Sequence, residues 1–152
     1  MPQSLSNLIT HVVFSTKNRE AWIIPDIRPS FHAAMAEIIR SDGGDAYRVG
    51  GTADHVHLAI SLKRTQTVSD VVKRLKRSSN LWFKAQSESQ DFQGFQWQRG
   101  YGAFSISRSH LDALIGYIDN QEEHHRKMTF QDEYRQLLSK YEIQYDEKYV
   151  WD

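Results

Sequence analysis

Cysteine is absent from this 152-residue chain, which excludes disulfides, thiolate-bound zinc and cysteine nucleophiles. Any bound metal must therefore rest on histidine, carboxylate or amide ligands. No stretch approaches the ~18 apolar residues of a membrane span, and Met1 to Ser6 lacks the basic-then-apolar pattern of a secretory leader. The expectation is a cytoplasmic protein without a membrane partner. A Gly-rich GK[ST] loop is missing too, so no nucleotide cofactor is expected. Without repeats, low-complexity tracts or a Pro/Gly/Ser-rich linker, one domain over 1–152 is expected.

Net charge is also missing: 19 Lys plus Arg balance 19 Asp plus Glu, which at first argues against a nucleic-acid partner. The distribution changes that reading. Residues 1–117 hold 14 basic against 10 acidic residues and 118–152 hold 5 against 9, giving halves of +4 and −4. The densest basic cluster is Lys63, Arg64, Lys73, Arg74, Lys76 and Arg77. It offers a phosphate-binding stripe, with a solvated helix face as the plainer alternative.

Hydrophobic residues at 39% and aromatics at 12% suffice for a core. Leu8 to Ser15 is rich in β-branched residues and reads as a strand. Pro25 and Pro29 open a helix with Phe31, Met35, Ile38 and Ile39 on one face, stopped by Ser41-Asp42-Gly43-Gly44. Ala46 to Gly51 and His55 to Leu62 form a hairpin across Thr52-Ala53-Asp54. Thr67 caps the next helix, with Asp70 three residues on, and Val68, Val71, Val72, Leu75, Trp82 and Phe83 line its apolar face. After the polar stretch Gln86 to Gln93, Phe95 to Ile106 reads as a fourth strand or strand pair around Gly100 and Gly102. Ser109 is the expected cap of a helix reaching about Arg126, and a last helix covers Phe130 to Tyr141.

That order predicts an α+β, ferredoxin-like (split βαβ) fold: an antiparallel sheet with two helices on one face. The core spans about 5–107, with an added helix over about 109–126 and a helical tail over about 130–152. The acid-rich tail is assigned no chemistry.

His55 and His57 alternate with Val56 in a strand, so both imidazoles point to one face and can share a metal. Taken alone, the pair is as readily a core histidine beside an exposed one. Tyr117 and Gln121 lie four apart and share a helix face. If that helix crosses the histidine strand, a nucleophile and a further ligand reach the pair. His124 and His125 are the rival ligands, His124 lying seven residues beyond Tyr117 and near the same helical face.

Three segments, Thr52 to Leu58 (TADHVHL), Trp97 to Ser107 (WQRGYGAFSIS) and Tyr117 to Phe130 (YIDNQEEHHRKMTF), give the chain a resemblance. It resembles the single-tyrosine HUH transposases of small bacterial insertion sequences and their REP-associated relatives, over nearly its whole length. The resemblance implies a divalent metal, Mg²⁺ or Mn²⁺, on His55, His57 and Gln121, and Tyr117 as the residue that joins DNA through a 5′-phosphotyrosine. It also implies a homodimer acting on single-stranded DNA marked by hairpins. Lys73, Arg74, Lys76 and Arg77 would contact the DNA backbone. Trp97 or Tyr101 would stack on unpaired bases, unless they are packed in the core. Two other readings fit the residues: a non-catalytic ferredoxin-like nucleic-acid-binding module, and a metal-dependent phosphodiesterase in which water attacks.

Overall fold

The computed structural model describes residues 2–87 and 90–152, so 88 and 89 of the polar stretch lie outside the described residues. Four strands, β1 (Leu8–Ser15), β2 (Asp45–Gly51), β3 (His55–Leu62) and β4 (Gly102–Ser105), form one sheet in the order β2-β3-β1-β4. Every neighbouring pair is antiparallel, the arrangement of a ferredoxin-like sheet.

Two helices cover one face of that sheet. Helix α1 (Arg28–Ser41) carries Pro29 in its first turn and ends before Gly43, whose φ of +99° suits a residue without Cβ. Helix α2 (Val68–Lys84) starts where Thr67 Oγ1 accepts from the Asp70 amide at 3.1 Å. Phe31, Met35, Ile39, Val71, Leu75 and Phe83 pack there against Val12, Phe14, Val56, Leu58 and Ile60. These strand residues alternate, so their neighbours His11, Val13, His55, His57 and Ala59 face the other side.

That second face is also covered, and this positions the site. Helix α3 (Leu111–Asp119) sets Leu111, Leu114 and Ile118 against Ile9 and Ala59. Helix α5 (Phe130–Lys140) sets Phe130, Tyr134 and Leu138 against Val13 and Phe104. Both central strands are consequently buried on both faces, which explains their near-continuous burial. No helix among the described residues is long and apolar enough to cross a membrane.

Three expectations need correction. The fourth strand is Gly102–Ser105, shorter than Phe95 to Ile106, and Trp97 contributes only an isolated bridge to Thr16. Lys76 Nζ claims the carbonyls of Gln98, Arg99 and Gly100 at 2.8, 3.0 and 2.6 Å, so they do not join the ladder. Ser109 does not cap the tyrosine helix; it lies in a 3-10 turn, Arg108–His110, and α3 begins after it without a side-chain cap. Nor is that helix continuous: Asn120, at φ −98° and ψ 18°, separates α3 from the short α4 (Gln121–His124).

Candidate metal and nucleophile site

The β3 alternation places His55 and His57 side by side on the face under α3, α4 and α5, both fully buried. The sequence pairing of the two histidines therefore holds. Gln121 opens α4 and turns inward, with Oε1 2.9 Å from His55 Nε2. The ring of Tyr117 stands 5.5 Å from that of His57, edge to face. Tyr117, the histidine pair and Gln121 thus meet within one chain despite the break at Asn120.

Two further residues complete the cluster: Glu133, which the sequence reading missed, and His125, which it offered with His124 as a rival ligand. Glu133 of α5 reaches His57 Nε2 and His125 Nε2 with Oε1, at 2.8 and 3.0 Å, and accepts from Gln121 Nε2 with Oε2 at 3.1 Å. Tyr117 donates its phenol proton to the same Oε2. The tail, assigned no chemistry from sequence, therefore supplies the carboxylate at the centre. His125, rather than its less buried neighbour His124, is the inward histidine of that pair; His124 Nε2 stays 3.4 Å from Glu133 Oε2 at the rim. Ligand atoms of His55, His57, His125 and Glu133 lie within 4.8 Å of one another.

The three imidazoles share an orientation. Each points Nε2 toward the centre and has Nδ1 held from outside. His55 Nδ1 meets Asp54 Oδ1 at 2.7 Å and Thr52 Oγ1 at 3.0 Å; His57 Nδ1 meets His11 Nε2 at 2.8 Å; His125 Nδ1 meets the Met128 carbonyl at 2.8 Å. Outer partners of this kind are what orient histidines as metal ligands. The inward nitrogens, with the oxygens of Glu133 and Gln121, make a donor set that fits a divalent cation.

Electrostatics defines the state described. Burial holds His57 down at about 4, against the pull of Glu133, so it is neutral near pH 7. Burial would raise the Glu133 carboxyl, but its hydrogen bonds from His125 and His57 outweigh that and keep it ionised, well below the carboxylate range. Tyr117 moves the opposite way: burial first, then the adjacent Glu133 charge, push its phenol above the ordinary range. Glu133 thus serves as the shared acceptor of His57 and His125 and holds the tyrosine protonated.

The basic residues do not join this site. Helix α2 packs on the opposite sheet face. Arg74 Nε pairs with Asp42 Oδ2 at 2.8 Å, and Lys76 is drawn onto its three carbonyls, so it does not belong to the exposed stripe. Lys73 and Arg77 are exposed. Trp97 is a core residue, 8% exposed, donating to Ser79 Oγ at 3.0 Å, and Tyr101 packs against the same core.

Comparison with known proteins gives the class: this is a DNA transposase. Residues 4–121 match the model of the family described as "Transposase IS200 like", and the chain belongs to that family, whose members cut and rejoin DNA. Among curated proteins it is similar to the ISDra2 transposase TnpA of Deinococcus radiodurans, 23% identical over 116 residues, 74% of this chain and 83% of that one. A solved protein of Deinococcus radiodurans R1, also described as a transposase, shares the fold with a TM-score of 0.63 at 20% identity, over 80% of this chain and 95% of that one. So does a REP-associated tyrosine transposase solved bound to a REP hairpin, with a TM-score of 0.59 at 12% identity, over 82% and 72% of the two chains. The family match stops at Gln121, so His125 and Glu133 lie beyond it.

Proposed function

We propose that this transposase acts on single-stranded DNA in the cytoplasm, with Tyr117 attacking a phosphodiester next to a hairpin. The Tyr117 Oη–phosphorus bond forms as the bond to the 3′-oxygen breaks, leaving a 5′-phosphotyrosine and a free 3′-hydroxyl. The bond energy is kept in the linkage, so a second 3′-hydroxyl can reverse the step without a nucleotide cofactor. The observation that carries this reading is that Tyr117, His57 and Gln121 all touch one buried carboxylate, Glu133, within a single chain.

His55, His57 and Gln121 would hold a divalent cation, with His125 and Glu133 as additional donors. The cation supplies positive charge to the phosphate oxygens and to a developing phenolate. A donor set rich in imidazole suits Mn²⁺ better than Mg²⁺, which prefers oxygen. Gln121, by donating to Glu133 and facing His55, keeps both groups aimed at the same point. Lys73 and Arg77 would hold DNA backbone away from the reacting phosphate. A homodimer belongs to the proposal as a means of pairing two DNA ends, and sedimentation with and without hairpin DNA reads it.

The test mixes the protein with Mn²⁺ and end-labelled single-stranded DNA containing a hairpin, then resolves the products under denaturing conditions. A covalent protein–DNA adduct that disappears in Tyr117→Phe is the expected result. An adduct that persists in Tyr117→Phe removes the nucleophile assignment, and cleavage without any adduct makes water the attacking group.

A further inference from the structure

His11 is not accounted for by the cluster of ligands, yet it is 2% exposed and stands in the middle of β1. Its register explains its contact. Val13 lies directly opposite His57, and His11 lies opposite Ala59, so His11 and His57 are diagonal neighbours on one sheet face. The two rings stack with centroids 5.1 Å apart, and His11 Nε2 lies 2.8 Å from His57 Nδ1. The His11 ring also meets Tyr117 edge to face at 6.3 Å and lines a cavity of about 430 Å³ together with Tyr117 and Lys140.

What distinguishes this contact is the kind of partner. His55 is held by a carboxylate and by the Thr52 hydroxyl, whose proton goes to Asp54, and His125 by a backbone carbonyl, so these partners only accept at those positions. An imidazole can accept or donate. In the state described, His57 donates Nε2–H to Glu133, so its Nδ1 is an acceptor and His11 must donate Nε2–H. For His57 to offer an Nε2 lone pair to a cation, its proton must sit on Nδ1, and the facing His11 nitrogen must then accept. A carboxylate at position 11 would serve only the second arrangement; an aliphatic or phenyl side chain would serve neither.

We infer that His11 is the positioning residue for His57, fixing its ring and exchanging tautomers with it so that His57 can either donate to Glu133 or ligate a divalent cation. This inference rests on the metal site proposed above. It adds a function for a residue that acts through its neighbour His57. The exchange conserves protons: one moves from Nε2 to Nδ1 on each ring, and both stay neutral.

The experiment uses the full chain without DNA. Mn²⁺ binding is measured by titration calorimetry for the wild type, His57→Ala, His11→Phe and His11→Gln. The expected result is binding by the wild type, loss in His57→Ala, an affinity about tenfold or more weaker in His11→Phe, and recovery in His11→Gln, whose amide accepts or donates. Wild-type affinity in a folded His11→Phe overturns the inference while leaving the metal site standing. Absence of Mn²⁺ binding in the wild type itself overturns the metal site, a separate outcome. Should His11→Phe fail to fold, long-range ¹⁵N–¹H spectra of the wild type decide. On adding diamagnetic Zn²⁺, His11 is expected to change from Nε2–H to Nδ1–H, and a ring that keeps Nε2–H with Zn²⁺ bound overturns the exchange.

Discussion

Tyr117 donates its phenol proton to Glu133, so the proposed nucleophile rests against a negative charge that opposes its ionisation. The same carboxylate, 1% exposed, accepts from His57, His125 and Gln121. Removing it takes the shared acceptor from four donors, of which those of His57 and Gln121 are fully buried. Glu133→Ala is therefore expected to cost about 3 kcal/mol in metal-free buffer, as breaking a buried charged network does. Glu133→Gln, which keeps one oxygen, costs less. Urea unfolding in the presence of a chelator measures both; a loss below about 1 kcal/mol for the alanine variant would mean that solvent replaces the carboxylate freely.

His32 contributes to the pH dependence alongside His57. It lies in α1, and its Nε2 is buried without a hydrogen-bond partner. Burial, then the Arg28 charge, hold its folded-state value at about 4, against 6.5 for a free imidazole. As pH falls the unfolded chain binds this proton first, so stability is full above about 6.5 and is lost progressively down toward 4. Between pH 7 and pH 5 the loss from this group is on the order of 1 kcal/mol. His32→Gln removes the titration, so its stability should fall less than the wild type's over that range. Parallel curves for the two proteins would contradict the assignment.

The basic helix separates structural from binding charge. Lys76→Met strips three carbonyls of a charged donor and is expected to cost about 2 kcal/mol. Lys73→Ala and Arg77→Ala, at exposed positions, should stay within about 0.5 kcal/mol of wild type. If they contact DNA backbone, each reduces the slope of log affinity against log salt by about 0.7 to 0.9. A slope unchanged in the double variant would take α2 out of the DNA interface.

Much of this was legible in the chain itself. The period-2 and period-3.6 patterns locate three strands and the first two helices, because these elements bury one regular face each. The common orientation of His55 and His57 follows from alternation alone. Glu133 was harder: Asp132 beside it is exposed and equally acidic, and only the tertiary fold tells them apart. A signal existed, since Glu133 shares a helix face with Phe130, Tyr134 and Leu138, and an acid on an apolar stripe needs a partner. In the His124–His125 pair no such signal operates, because the short turn after α4 decides which ring points inward. The truncated β4 was equally hidden, the carbonyls just before it being claimed by a lysine 22 to 24 residues earlier.

Gly50 tests whether the tyrosine helix must lie as close to the sheet as it does. It sits in β2 directly opposite His57, and a Cβ built on it would fall 2.6 Å from Ile118 Cγ2 and 2.9 Å from the Ile118 carbonyl oxygen. A rotamer change can move the methyl group, but the carbonyl belongs to the backbone of α3, so the helix itself must lift. Gly50→Ala is expected to destabilise by about 1 to 3 kcal/mol through this overpacking. Ile118 adjoins Tyr117, so the phenol is carried away from His57 and Glu133. A displacement near 1 Å can lower the rate about 100-fold. The rate of adduct formation should therefore drop at least tenfold while hairpin affinity stays within about twofold of wild type. Gly116 supplies the control, because it lies in the same helix with nothing within 4 Å of an added Cβ. Gly116→Ala should stabilise by about 0.5 to 1 kcal/mol through helix propensity and leave the adduct rate unchanged. If both variants slowed the reaction equally, the effect would belong to helix composition, and the close approach at Gly50 would have no part in placing Tyr117.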